Sequence, residues 1–236
     1  MSIQQKTVGI IGGMGPEATV DLMARIIKAT PALDDGDHIR MLVDNNPKVP
    51  SRIKALIDGT GESPISCLQG MARQLESLGV DFLAMPCNTA HYYHRDIQEA
   101  ITIPLLDMVE LSTQAVINQI PDLKRVGLLA STAVIYLKIY ERRFAHKKIS
   151  LVTPTDIYQS QIMDAIKKIK TSNYGDEVVE AIQSAADNLI GCGAEVLLLA
   201  CTELSIIGRK IRSTVKIFDS AQILAESIIR EARKTR

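Results

Sequence analysis

G-V-D-F-L-A-M-P-C-N-T, residues 79–89, and G-A-E-V-L-L-L-A-C-T-E, residues 193–203, are two versions of one pattern. Each opens on a glycine, passes an acidic residue into a short apolar run, and ends on a cysteine followed by polar residues. Gly79 matches Gly193 and Cys87 matches Cys201, both at an offset of 114. Upstream, K-T-V-G-I-I-G-G-M at 6–14 resembles K-R-V-G-L-L-A-S-T at 124–132, with Gly9 on Gly127 at an offset of 118. Downstream, I-P-L-L-D at 103–107 resembles V-K-I-F-D at 215–219, with Asp107 on Asp219 at an offset of 112. Three matches in one order and at nearly one spacing point to a duplicated unit.

That unit reads as α/β. The apolar runs VGIIG (8–12), IRMLVD (39–44), FLAMP (82–86), VGLLA (126–130), ISLVT (149–153) and VLLLA (196–200) predict buried strands. Longer amphipathic segments between them predict helices, and the alternation predicts mainly parallel sheets flanked by helices. The expected architecture is two pseudo-symmetric α/β domains, 1–113 and 114–212, with 213–236 returning to the first. Ligands of open parallel sheets bind beyond the carboxyl ends of the strands. Each cysteine directly follows a strand, so two halves facing each other are expected to bring both thiols to one cleft.

Composition narrows the function classes. Lys plus Arg and Asp plus Glu both number 27, so no net field draws the chain to nucleic acid or an anionic membrane. The opening MSIQQKTVGIIGGMG has no signal-peptide pattern, and no apolar run reaches the ~18–20 residues a bilayer span needs. A reducing cytoplasm is expected. None of the four cysteines forms a C-x-x-C pair. Cys67 and Cys192 read as small buried apolar residues; Cys87 and Cys201 stand apart because they are equivalent.

Two thiols on either side of one carbon can do a specific job. Racemising an amino acid requires removal of the α-proton and return of a proton on the opposite face. One thiolate as base and one thiol as acid meet both needs without a cofactor. A thiolate suits the work because a helix N-terminus or a neighbouring cation lowers its pKa. Asn88 and Thr89 follow Cys87 at a predicted helix start, where they either bind a substrate carboxylate or cap the helix. Thr202 and Glu203 hold the same places after Cys201; Glu203 either orients a proton-transfer partner or caps a turn. In the opening turn, residues 12–19, the glycines allow close backbone approach to an anion, with Met14 and Gly15 expected substrate contacts, and Pro16 suits a first helical turn. The corresponding Ala130-Ser131-Thr132 offers hydroxyls, with Thr132 a substrate contact.

GGMGPEAT (12–19), PCNTAH (86–91) and ACTEL (200–204) together resemble the aspartate/glutamate racemase superfamily, and its aspartate racemase branch most closely. The resemblance runs over nearly the whole chain. It implies two pseudo-symmetric α/β domains with the active site between them, two catalytic cysteines, no pyridoxal phosphate, nucleotide or metal, and a homodimer. It also implies a small dicarboxylic amino acid, aspartate or glutamate, as substrate. Glutamate racemases typically have Thr-His after the second cysteine and Asp-Ser after the first strand; Thr202-Glu203 and Gly12-Gly13-Met14-Gly15 stand here instead. Arg52, in V-P-S-R, matches the arginine that clamps the substrate carboxylate, a task suited to a planar fork. A-I-K-K-I-K-T (165–171) is similar to the family's I-Y-x-x-I-K-x-G segment, though without its Tyr and Gly. That likeness makes Lys170 a second charge partner, the alternative being an ordinary solvated lysine.

A dinucleotide-binding reading leaves both cysteines unexplained. Gly13-Met14-Gly15-Pro16-Glu17-Ala18 fits a dinucleotide fingerprint, but the nearest acidic candidate, Asp44, lies too far along the chain. Cys87, His91 and His94 at i, i+4 and i+7 could align for a metal; instead His91 is expected to orient the site and His94 to face solvent. Among paired-cysteine relatives, maleate isomerases are the main competitor because maleate is also a dicarboxylate; hydantoin racemases and arylmalonate decarboxylases are others.

Overall fold

The computed structural model describes residues 5–234. Two compact units emerge, one from residues up to Met108 together with those from Gln222 onward, the other from Val109–Ala221. In the first, β1 (Val8–Gly12), β2 (Met41–Asn45) and β3 (Phe82–Ala84) form a parallel sheet in the order β2-β1-β3. Helices α1 (Pro16–Ala29), α2 (Ile65–Ser77) and α3 (His94–Gln98) accompany it, α1 and α2 packing on β1. In the second, β4 (Arg125–Ala130), β5 (Ser150–Val152), β6 (Val196–Ala200) and β7 (Lys216–Asp219) form a parallel sheet in the order β5-β4-β6-β7.

The second unit's helices are α5 (Thr132–Tyr136), α6 (Glu141–Ala145), α7 (Asp156–Ile169), α8 (Asp176–Gly191) and α9 (Thr202–Ile207). The chain passes between units inside two helices, α4 (Met108–Gln119) and α10 (Ser220–Ala232). From Gln222 onward, α10 closes the first unit. Lys6 donates its backbone N–H to the Ala232 carbonyl at 2.8 Å, and its ammonium pairs with Glu231 at 2.8 Å. The expected return of 213–236 is therefore divided, because β7 pairs with β6 before the chain leaves the second unit.

The repeat is visible in the strand register. Gly9 pairs with Leu83 across β1 and β3, and Gly127 pairs with Leu197 across β4 and β6. Both glycines face tight quarters. A Cβ on Gly9 would lie 2.5 Å from Leu83 Cδ2, and one on Gly127 2.8 Å from Ala194 Cβ. The third match also holds: Leu105 bridges Leu83, and Ile217 pairs with Leu197. The first unit thus keeps only one bridge where the second has β7.

β1 and β6, inside their sheets, and β3, whose outer side is bridged at Leu83–Leu105, are buried throughout, as continuous apolar runs require. β2 and β5 are different. Both lie at sheet edges and are half-exposed, which corrects the expectation of six buried strands. Helix faces follow the expected spacing: Leu68, Met71, Ala72 and Leu75 of α2 are buried, as are Val178, Ile182, Ala185, Ala186 and Leu189 of α8. No helix among the described residues is long and apolar enough to cross a membrane.

Candidate active site

In the first unit, β3 ends at Ala84 and Cys87 follows in a tight turn, its N–H bonded to the Met85 carbonyl at 2.9 Å. Cys87 is 6% exposed and belongs to the apolar cluster of its own unit. The expected α-helix start is a 3-10 helix, Thr89–Tyr93, with α3 following. Asn88 makes no side-chain cap bond and is buried, while Thr89 is half-buried. Its capping reading therefore fails at Asn88.

His91 is buried behind this turn. Its Nδ1 lies 2.8 Å from the Cys87 carbonyl, and its Nε2 accepts the Met108 N–H at 3.0 Å. Burial lowers its pKa below the ordinary imidazole value, against an opposing pull from Asp107. With both ring nitrogens bonded to backbone groups, His91 has no lone pair left for a metal. His94 is half-buried rather than on the solvated face, because its Nε2 bonds the Leu105 carbonyl at 2.9 Å.

Two more first-unit residues meet at the opening turn. Gly13 has φ +92°, and a Cβ there would strike the Asn46 backbone at 2.2 Å. The glycine is thus required by the loop after β2, which supplies a structural reason for the fingerprint-like spacing. Pro16 is the first residue of α1, and the buried Gly15 is its N-cap without a side-chain cap bond. Met14 is buried, and its carbonyl accepts from Arg52 Nη2 at 3.3 Å. Arg52 Nη1 donates to the Val49 and Pro50 carbonyls at 3.3 and 3.0 Å. Three carbonyls therefore fix the guanidinium, and its buried Nε–H has no protein partner among the described residues. Tyr93, buried close to Arg52, has its phenol pKa raised by that burial.

In the second unit, Cys201 directly follows β6 and is the N-cap of α9. It is 7% exposed and lies in its own unit's apolar cluster. Its Sγ donates to Glu203 Oε2 at 3.1 Å, and Glu203 Oε1 accepts from the Lys170 ammonium. Burial, and then the Glu203 carboxylate, push the Cys201 thiol well above its ordinary pKa. Lys170, at the C-cap of α7, is thus neither a free surface lysine nor an isolated cation; Glu203 holds it. Thr202 is buried.

Thr132 is exposed at the start of α5. Gln159 Nε2 donates to its hydroxyl oxygen at 3.2 Å and to the Ala130 carbonyl at 3.1 Å. Ser131 caps α5 by accepting from the Val134 N–H at 3.4 Å. Sequence reading missed Gln159 and Ser205, since neither sits in a motif. Ser205 had a usable signal: it occupies the place of His91 at the repeat offset of 114. The remaining cysteines depart from expectation. Cys67 is half-buried and Cys192 is exposed, since Cys192 is the C-cap of α8 at a surface turn.

Comparison with known proteins identifies the family. The family model described as Asp/Glu/hydantoin racemase matches residues 11–228. The broad specificity amino-acid racemase RacX of Bacillus subtilis is 31% identical over 227 residues, covering 94% of this chain and 96% of that protein. The Picrophilus torridus aspartate racemase structure superposes with a TM-score of 0.85 at 32% identity, covering 96% of this chain and 94% of the other. The glutamate racemase RacE1 of Bacillus anthracis, at 19% identity and a TM-score of 0.65, shares the fold over 95% of this chain and 80% of its own. With the match spanning both units and both cysteine turns, the chain belongs to the Asp/Glu/hydantoin racemase family, a family of isomerases.

Proposed function

We propose that the protein is a cofactor-independent racemase of aspartate, with glutamate as a further candidate substrate, and that Cys87 and Cys201 serve opposite faces of the α-carbon. The observation that carries the reading is the shared register. Each cysteine stands four residues beyond the leucine that pairs with the repeated glycine, just past the carboxyl end of its strand. Glu203 and burial keep the proton on Cys201, so Cys201 acts as acid and Cys87 as base in the forward direction. The Cys87 thiolate takes the α-proton, the carbanion takes the Cys201 proton on the other face, and the reverse reaction returns Cys87 to thiolate and Cys201 to thiol. One proton is lost and one gained.

Binding groups surround this step. Arg52 is pre-set by three carbonyls and keeps its Nε–H for a carboxylate oxygen. Gln159 donates to the Thr132 oxygen, leaving the hydroxyl hydrogen of Thr132 for a substrate acceptor. Asn88, Thr89 and Thr202, beside the cysteines, and the Met14–Gly15 backbone at the start of α1 complete the set. Lys170 acts through Glu203, balancing its charge. A homodimer and a cytoplasmic location belong to the same reading. The test is a chiral assay of L- and D-aspartate combined with α-deuterium exchange in deuterium oxide across a panel of amino acids. Aspartate racemisation with exchange is expected; no exchange with any amino acid overturns the proposal. A maleate-to-fumarate absorbance assay run alongside separates the isomerase alternative.

A further inference from the structure

We infer that His91 is a positioning residue for Cys87, its imidazole replacing the first α-helical hydrogen bond that the Cys201 turn has and the Cys87 turn lacks. The inference rests on both cysteines being proton-transfer groups. After Cys201 an α-helix begins at once, and the Cys201 carbonyl accepts the Ser205 N–H at 3.2 Å. After Cys87 the chain tightens into a 3-10 helix, so the His91 N–H goes to the Asn88 carbonyl at 3.2 Å. The Cys87 carbonyl therefore loses its helical donor. The His91 side chain supplies one instead, with Nδ1 at 2.8 Å.

The tautomer follows from the opposite side of the ring. The Met108 amide can only donate, so Nε2 accepts and Nδ1 carries the hydrogen. Burial keeps the ring neutral. One rigid side chain thus ties the peptide of Cys87 to the first residue of α4. In the second unit the corresponding tie is built differently. Ser205 donates its hydroxyl to Asp219 Oδ1 at 2.6 Å, which also accepts the Ala221 N–H at 2.9 Å at the start of α10. There the cysteine carbonyl has its backbone donor, and the Ser205 hydroxyl, 3.4 Å from that carbonyl, makes its much shorter bond to Asp219 at the helix junction. His91 is accordingly the side chain that stands in for a missing backbone donor at its cysteine, whereas Ser205 only adds a longer contact to a carbonyl that already has one.

The test compares wild type, His91→Ala, His91→Gln and Ser205→Ala by alkylation of each cysteine with iodoacetamide, resolved by mass spectrometry. His91→Ala is expected to raise Cys87 alkylation by about fivefold to tenfold, the scale one lost buried hydrogen bond sets for local opening. Cys201 should keep its rate. His91→Gln, which can also donate at one end and accept at the other, should restore Cys87; it also serves if the alanine variant fails to fold. Ser205→Ala should leave Cys87 unchanged. Equal acceleration of both cysteines, or an unchanged Cys87, overturns the inference whatever the substrate is. Primary α-deuterium isotope effects on aspartate supply the second readout. In His91→Ala the effect should grow for one enantiomer and shrink for the other, and symmetric effects count against the inference. Absent α-proton exchange in wild type would overturn the proposed function alone, since alkylation judges His91 independently.

Discussion

The turns after Cys87 and Cys201 descend from the same pattern and are held by different means. Cys201 starts an α-helix, so its carbonyl takes the helical N–H of Ser205, with the Ser205 hydroxyl at 3.4 Å, and its thiol engages Glu203, two residues on. Thr89 stands at the equivalent place after Cys87, so no carboxylate follows that thiol at this spacing. The first half spends a buried histidine on geometry; the second spends a buried carboxylate and a lysine on charge. The lesson is that a duplicated frame can assign proton-holding to one half and positioning to the other while the strands stay in register.

The largest test of this comparison removes the thiols. Cys87→Ser and Cys201→Ser should each reduce aspartate racemisation by about 10²–10⁴-fold in a chiral assay, the range for loss of a positioned acid or base. If either variant keeps wild-type turnover, the two halves are not equivalent in chemistry. Next, Glu203→Gln should lower the Cys201 thiol pKa, because the carboxylate is a cause of its elevation after burial. Turnover should fall about tenfold with the loss of a charge-assisted bond. Titration by ultraviolet thiolate absorbance reads the first effect, and an upward shift would contradict the assignment of charge to this half.

Packing sharpens the comparison at smaller scale. Gly127→Ala should destabilise the protein by about 1–3 kcal/mol in denaturant unfolding, since its Cβ would meet Ala194 Cβ, which cannot swing away. Gly9→Ala should cost less, because the nearest clash is a terminal methyl of Leu83. The smallest expected effect is on pH dependence. His91 has a depressed folded pKa, so its contribution is present above its ordinary value of 6.5 and is lost as pH falls through the lower folded value. Thermal melts of His91→Gln should therefore decline less on acidification than those of wild type. Parallel curves would mean that the ring is not held neutral.

Much of this was legible in the sequence for a simple reason. Buried parallel strands are continuous apolar runs, so β1 and β6 could be bounded to the residue, and the cysteines stood out by repetition. Two edge strands gave less away: IRMLVD and ISLVT look as apolar as the buried strands, and only tertiary packing reveals their exposure. The 3-10 turn after Cys87 was hidden because five residues carry too little periodicity to separate it from an α-helix. Side-chain substitution for a backbone bond at His91 leaves no composition signal. Nor does the Lys170–Glu203 pair, whose members lie 33 residues apart. The repeat nevertheless contained the clue to Ser205, which needed only the same offset applied once more.

The closing of the first unit by α10 bears on how the chain is made. Residues 222–234 leave the ribosome after the whole second unit, yet they supply Ala232, Glu231 and Arg233 to partners at Lys6 and Pro31. The second unit is one continuous stretch and can complete its sheet during synthesis, whereas the earlier-made unit must wait for α10. Birth order and folding order are thereby reversed, and a chain cut before α10 would injure the unit made first of the two.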